Sequence, residues 1–146
     1  MKSILKISEA ASLAMHTMAL LAHEPDRVHS AKGIAKTLNV SQNHLSKVLQ
    51  RLSKTGLVES TRGPKGGFVL SLPAGRITLI DVYESIEGKL IANKCLFEKP
   101  ICNGSDCIFG DLLIDVQNEI KDYLSSRSLD DIKNIFGDDL DEKKDN

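Results

Sequence analysis

The chain has 146 residues, 41% of them hydrophobic and 27% charged, with no Trp and a formal net charge of −1. That length gives one domain with room for a short extension, built on an aliphatic core. No apolar run approaches membrane-spanning length, so no membrane-spanning helix is expected.

Charge is unevenly divided. Residues 1–74 hold ten Lys/Arg against four Asp/Glu, and residues 75–146 hold nine against sixteen. A basic half joined to an acidic half points to a nucleic-acid face and a separate acidic module. At the N-terminus, Lys6 and Glu9 interrupt the apolar residues, so there is no signal-peptide core. A cytoplasmic protein is expected, whose three Cys are thiols or metal ligands rather than disulfides.

Residues 8–23 predict a helix, with Ala11, Ala14, Met15, Met18, Ala19 and Ala22 at helical spacing, ended by Pro25-Asp26. Its His16 and His23 read as ordinary surface or partly packed histidines. Ser30 is a good N-cap for a second helix carrying Ala31, Ile34, Ala35 and Leu38. Asn39-Val40 breaks it, and Ser41 caps a third helix. There Leu45, Val48, Leu49 and Leu52 fall at i, i+3, i+4 and i+7, a continuous buried stripe. Gln42, Asn43, Ser46, Lys47 and Gln50 lie off the stripe, with His44 near its edge. None is acidic, and Gln and Asn suit adenine in the major groove, which a recognition helix enters by its N-terminal residues. Thr55-Gly56 ends the helix.

Leu57-Val58 and Phe68-Val69-Leu70 are short β-prone runs flanking Arg62-Gly63-Pro64-Lys65-Gly66-Gly67. Three glycines and a proline in six residues specify a turn, and Arg62 and Lys65 put positive charge at its tip. A single amphipathic helix with polar residues outside is usually no more than a solvated helix. The ordered set of capped helix pair, short break and basic hairpin is far more specific, and points to double-stranded DNA as partner.

Thr78 caps a short helix with Leu79, Val82, Tyr83 and Ile86, closed by Gly88. A less regular stretch, Lys89–Asp106, follows. From Cys107 a long helix is expected, with the stripe Ile108, Phe109, Leu112, Leu113, Val116, Ile120 and Leu124. A helix this long after a compact domain pairs most naturally with its copy in a second subunit, although it can also fold back on its own domain. Ser128 caps a last helix with Leu129, Ile132, Ile135 and Phe136, and Asp138–Asn146 is a charged tail expected to be disordered. The fold class is therefore mainly α with a small β-hairpin: a winged helix-turn-helix plus a long C-terminal dimerisation helix. The expected domains are 1–88 for DNA binding, 89–107 for a cysteine loop, 108–136 for dimerisation and 137–146 for the tail.

Cys95, Cys102 and Cys107 lie within thirteen residues as C-x₆-C-x₄-C, in a Gly/Asn/Pro-containing loop just before the long helix. Thiolates so clustered suit zinc or an iron–sulfur cluster, with a thiol switch as the other possibility. Zinc sites more often use C-x₂₋₄-C, a spacing that only the Cys102–Cys107 pair has. The four His show no nucleophile–base or metalloprotease spacing, and there is no C-x-x-C or glycine-rich phosphate loop. An enzyme is not expected.

The short helix ending MALLA, the run VSQNHLSKVLQRLSKTGLVES, the RGPKGGF wing, the TLIDVYESIEG helix and the three-Cys loop together resemble the Rrf-two family of bacterial winged-helix regulators. The likeness extends from residue 1 to about residue 136 and includes the IscR-like and NsrR-like branches. It implies a homodimer on a palindromic operator, with Ser41, Gln42, Asn43, His44, Ser46 and Lys47 facing DNA and Arg62 inserted in the minor groove. It also implies that Cys95, Cys102 and Cys107 hold an iron–sulfur cluster. One branch completes the ligand set with a His three residues after the last Cys, where this chain has Gly110. Another uses an acidic residue near the partner's N-terminus, where the best-matching position is Ser12, with Glu9 and His16 one helical turn either side. The fourth ligand and the cluster type (2Fe–2S or 4Fe–4S) stay open. The expected function is a transcriptional regulator whose operator affinity follows cluster supply, redox state or nitric oxide. The alternatives are a winged-helix repressor with structural zinc or a thiol switch, and a redox or electron-transfer protein on a winged fold.

Overall fold

The computed structural model describes residues 4–137. Its elements are α1 (Glu9–His23), α2 (Ala31–Leu38), α3 (Gln42–Lys54), β1 (Val58–Thr61), β2 (Gly67–Leu70), a 3-10 turn (Ala74–Arg76), α4 (Leu79–Glu87), α5 (Leu112–Ser126) and α6 (Leu129–Ile132). This is the expected mainly helical winged helix-turn-helix.

The core forms around α1. Ser8 starts it, its hydroxyl accepting from the Ala11 N–H at 3.0 Å, and nine of the twelve residues from Ala11 to Ala22 are buried. Four of these are alanines, which let α2, α3 and α4 come close. Ser30 and Ser41 each accept from the backbone three residues on, at 3.0 and 3.1 Å. Between the two helices Asn39 takes the left-handed conformation at φ 54°, open to Asn at little steric cost. The chain thus turns in three residues, and Leu45, Val48, Leu49 and Leu52 of α3 all reach the core.

β1 and β2 pair antiparallel, Val58 opposite Leu70 and Thr61 opposite Gly67. A third strand-like segment completes the wing, which the sequence patterning did not foretell. His29 donates its N–H to the Phe68 carbonyl at 3.1 Å and accepts from the Phe68 N–H at 2.8 Å. Gly67 permits this, since a Cβ there would overlap the His29 carbonyl.

Thr78 and Asp81 form a reciprocal capping box at the start of α4. The C-terminal segment then returns to the same place. Leu79 donates to the Arg127 carbonyl and Leu129 to the Ile77 carbonyl, each at 2.9 Å. Leu124 and Leu129 are buried in the common core, so the end of α5 and all of α6 fold back on their own domain.

Two boundaries differ from expectation. The long helix begins at Leu112 rather than Cys107. Gly110 sits at φ 55°, and Cys107–Leu112 is a pair of turns closed by Gly110 N–H to Cys107 O and Leu112 N–H to Phe109 O, both 3.0 Å. Ile108 and Phe109 therefore leave the helical stripe, and Ile108 is 96% exposed. The last helix is a single turn, after which Ile135 is exposed. The expected charged tail, Asp138–Asn146, lies outside the described residues.

The wing's dependence on Gly67 is measurable. Gly67→Ala should lower stability by roughly 1–3 kcal/mol, as overpacking does, whereas Lys65→Ala at the exposed tip should stay within about 0.5 kcal/mol of the parent. Urea unfolding midpoints decide between them.

Candidate nucleic-acid interface and cysteine loop

The buried stripe of α3 fixes what the rest of the helix presents. Ser41, Gln42, Asn43 and Lys47 are exposed, and His44 and Ser46 are half-buried. Ser41 also spends its hydroxyl on the His44 N–H, so it holds the helix start as well as lining it. Arg62 and Lys65 are exposed in the turn between β1 and β2. Among the described residues, ion pairs engage Arg27, His29, Lys89 and Lys133, whereas Lys47, Arg62 and Lys65 form none. Their charge is left for an outside anion.

Between α3 and the hairpin runs a groove of about 600 Å³ lined by Ser46, Gln50, Ser53, Lys54, Ser60 and Phe68, among others. Sequence reading did not single out Ser53, Lys54 or Ser60. The signal was present on the helix, because Ser46, Gln50 and Ser53 share one face at i, i+4 and i+7. Arg51 was also missed. Its guanidinium donates to the Ile86 carbonyl at 3.0 Å, tying α3 to the end of α4.

The cysteine loop hangs from α4 and α5. Glu84 accepts from the Leu90 N–H at 3.0 Å. Gln117 accepts from the Asn93 N–H at 3.0 Å and donates to the Asn93 carbonyl at 2.9 Å, as a neighbouring strand would. Beyond Asn93 the loop is open. Cys95 and Cys107 are half-buried and Cys102 is exposed, all as free thiols. Leu96, Phe97 and Ile101 are uncovered, Ile101 at 83%.

Three soft thiolates on one short segment fit the donor chemistry of a zinc or iron–sulfur site. Their placement in the single chain is not yet a site, for among the described residues no three His, Cys, Asp or Glu side chains are grouped closely enough to hold a metal ion. Of the candidate fourth ligands on α1, Ser12 is half-buried while Glu9 and His16 are exposed. The His16 Nδ1 lies 2.6 Å from the Ser12 carbonyl.

The family model "Iron-dependent Transcriptional regulator", Rrf2, matches residues 7–134. The chain belongs to the Rrf2 family. It is 32% identical to the HTH-type transcriptional regulator IscR of Xenorhabdus nematophila over 111 residues, 72% of this chain and 68% of that protein. Among solved structures it resembles CymR, the global cysteine regulator of B. subtilis, with TM-score 0.77 and 29% identity, covering 90% of this chain and 98% of that one. It also resembles IscR of T. potens, with TM-score 0.71 and 26% identity, covering 88% and 85%. These relatives are transcriptional regulators, not enzymes, and this chain is a regulator of that family. Among the described residues no helix is long and apolar enough to cross a membrane.

Gln117→Ala should release the loop without unfolding the domain. The Asn93 amide should exchange with solvent faster, by about tenfold for a lost bond of roughly 1–1.5 kcal/mol, while the amides of α1 keep their protection. Hydrogen exchange read residue by residue measures both.

Proposed function

We propose that the protein is a homodimeric DNA-binding regulator whose operator affinity is set by an iron–sulfur cluster on Cys95, Cys102 and Cys107. It works in the cytoplasm on a palindromic operator. Ser41, Gln42, Asn43, His44, Ser46 and Lys47 face the major groove, and Arg62 and Lys65 reach phosphates or the minor groove. Residues 1–88 serve DNA and 89–107 the cluster, while 108–136 pairs through the exposed front of α5 and completes the core through Leu124 and Leu129.

The observation that carries the reading is a continuous mechanical connection. The thiol-bearing loop is tethered to α4 through Glu84 and to α5 through Gln117, and α4 is tethered to the recognition helix through Arg51. Cys95, Cys102 and Cys107 would hold the cluster, which when bound would supply a charge and shape sensitive to assembly, oxidation, nitrosylation or loss. The loop's share of that change is transmitted to the tilt of α3, and about 1.4 kcal/mol of differential affinity is tenfold in DNA binding. The family's description as iron-dependent supports the cluster. Uncovered Ile108, Phe109 and Leu112 at the front of α5 support pairing with a second copy, which sets two recognition helices about one turn of DNA apart. A second reading, a repressor with zinc or a thiol switch, draws on the exposure of Cys102 and the ungrouped thiols.

The test uses a duplex selected from random DNA and fluorescence anisotropy under anaerobic conditions. Wild type should differ about tenfold in affinity with and without iron, and Cys102→Ala should not respond. Equal affinities in all four cases would contradict sensing. Separately, Arg62→Ala should weaken binding about tenfold and flatten the salt dependence by roughly one counterion, with an unchanged thermal melt. Unaltered affinity would remove the wing from the interface.

A further inference from the structure

A second cavity, of about 560 Å³, lies where the C-terminal end of α3, the hairpin, the 3-10 turn, α4 and the start of the cysteine loop meet. Its size is in the range of small-molecule sites. Leu72, 41% exposed, gives it an apolar wall, with Leu57 and Ile77 packed beneath. Arg76, Asp81, Glu84 and Lys89 supply two charges of each sign.

The state of those charges decides what fits. The Arg76 side chain has no hydrogen bond or ion pair among the described residues. Asp81 uses Oδ2 for both Thr78 donors, leaving Oδ1 uncommitted. Glu84 uses Oε1 for the Leu90 N–H, and its Oε2 is 3.8 Å from the Nζ of Lys89, a side chain 85% exposed and loosely held. The cavity thus offers one free guanidinium and two carboxylate oxygens beside an apolar lining. A simple anion would satisfy the first and be repelled by the second, and an amine the reverse.

We propose that this cavity binds a free amino acid with a large apolar side chain. Its carboxylate takes a forked pair of bonds from Arg76. Its ammonium donates to Asp81 and Glu84, and its side chain covers Leu72, above the buried Leu57 and Ile77. Leu57 and Leu72 adjoin the outer ends of the two wing strands, and Gly88 and Lys89 begin the cysteine loop. The occupant would therefore brace the wing against α4 beside the loop's point of attachment, which makes it an effector site.

The experiment is methyl NMR of the full-length protein titrated with L-phenylalanine, 3-phenylpropanoate and phenethylamine. L-Phenylalanine should shift the methyl signals of Leu57, Leu72 and Ile77 saturably. Each analogue, lacking one charge, should bind about tenfold more weakly or worse, and Arg76→Ala should weaken L-phenylalanine by a similar factor. Arg76 is exposed and unpartnered, so that variant keeps its fold, and the unshifted signals of Leu45 and Leu49 confirm it. No saturable shift at millimolar concentration, binding of an analogue as tight as the amino acid, or unchanged binding by Arg76→Ala would each overturn the proposal. No DNA or iron enters the measurement, so its outcome is independent of the operator and of the cluster.

Discussion

Four aliphatic side chains of α3, Leu45, Val48, Leu49 and Leu52, pressed against the alanine-rich α1, set the orientation of the polar face that α3 presents to solvent. Each is almost fully removed from water, and burial of a Val or Leu side chain contributes roughly 1.5–3 kcal/mol. In a chain without Trp and with few other aromatic residues, aliphatic side chains carry most of the core. Turning α3 by one residue would rotate its face by about 100° and bury Gln or Lys in place of Leu. The polar face is therefore held in place by the cost of burying it.

α4 is the second organising element. Its start is locked by Thr78 and Asp81, and the same turn receives the returning C-terminal segment through Leu79 and Leu129. Its end accepts Arg51 from the recognition helix and holds the cysteine loop through Glu84. Ser8 donates to Glu87 there and also caps α1. Burial, and then the Glu87 carboxylate one turn away, hold the Tyr83 hydroxyl above the usual phenol range, so it stays protonated. α4 thus joins the attachment point of the cysteine loop to α3 through a few polar bonds.

Local features were legible in the sequence because their physics is local. Ser30, Ser41 and Thr78 cap helices, and Gly56 and Gly88 close them in positive φ. The hairpin follows from its glycines and proline. What escaped was long-range. His29 pairs with Phe68 across thirty-nine residues of chain, and neither Arg51 nor Gln117 announces that a backbone carbonyl or amide will meet it. The start of α5 was misplaced because the apolar stripe ran on through Ile108 and Phe109, while Gly110 turned the backbone out of helical geometry. Cysteine spacing marks a candidate donor set, but spacing does not contain the coordinates at which three thiols would converge.

The claim that joins these parts is that the cysteine loop carries iron and sulfide. The most direct measurement is the visible absorption spectrum, with iron and sulfide content, of full-length protein purified without oxygen. The account predicts a brown protein with bound iron and acid-labile sulfide, both lost in Cys102→Ala. A colourless protein free of iron that resists reconstitution would contradict it.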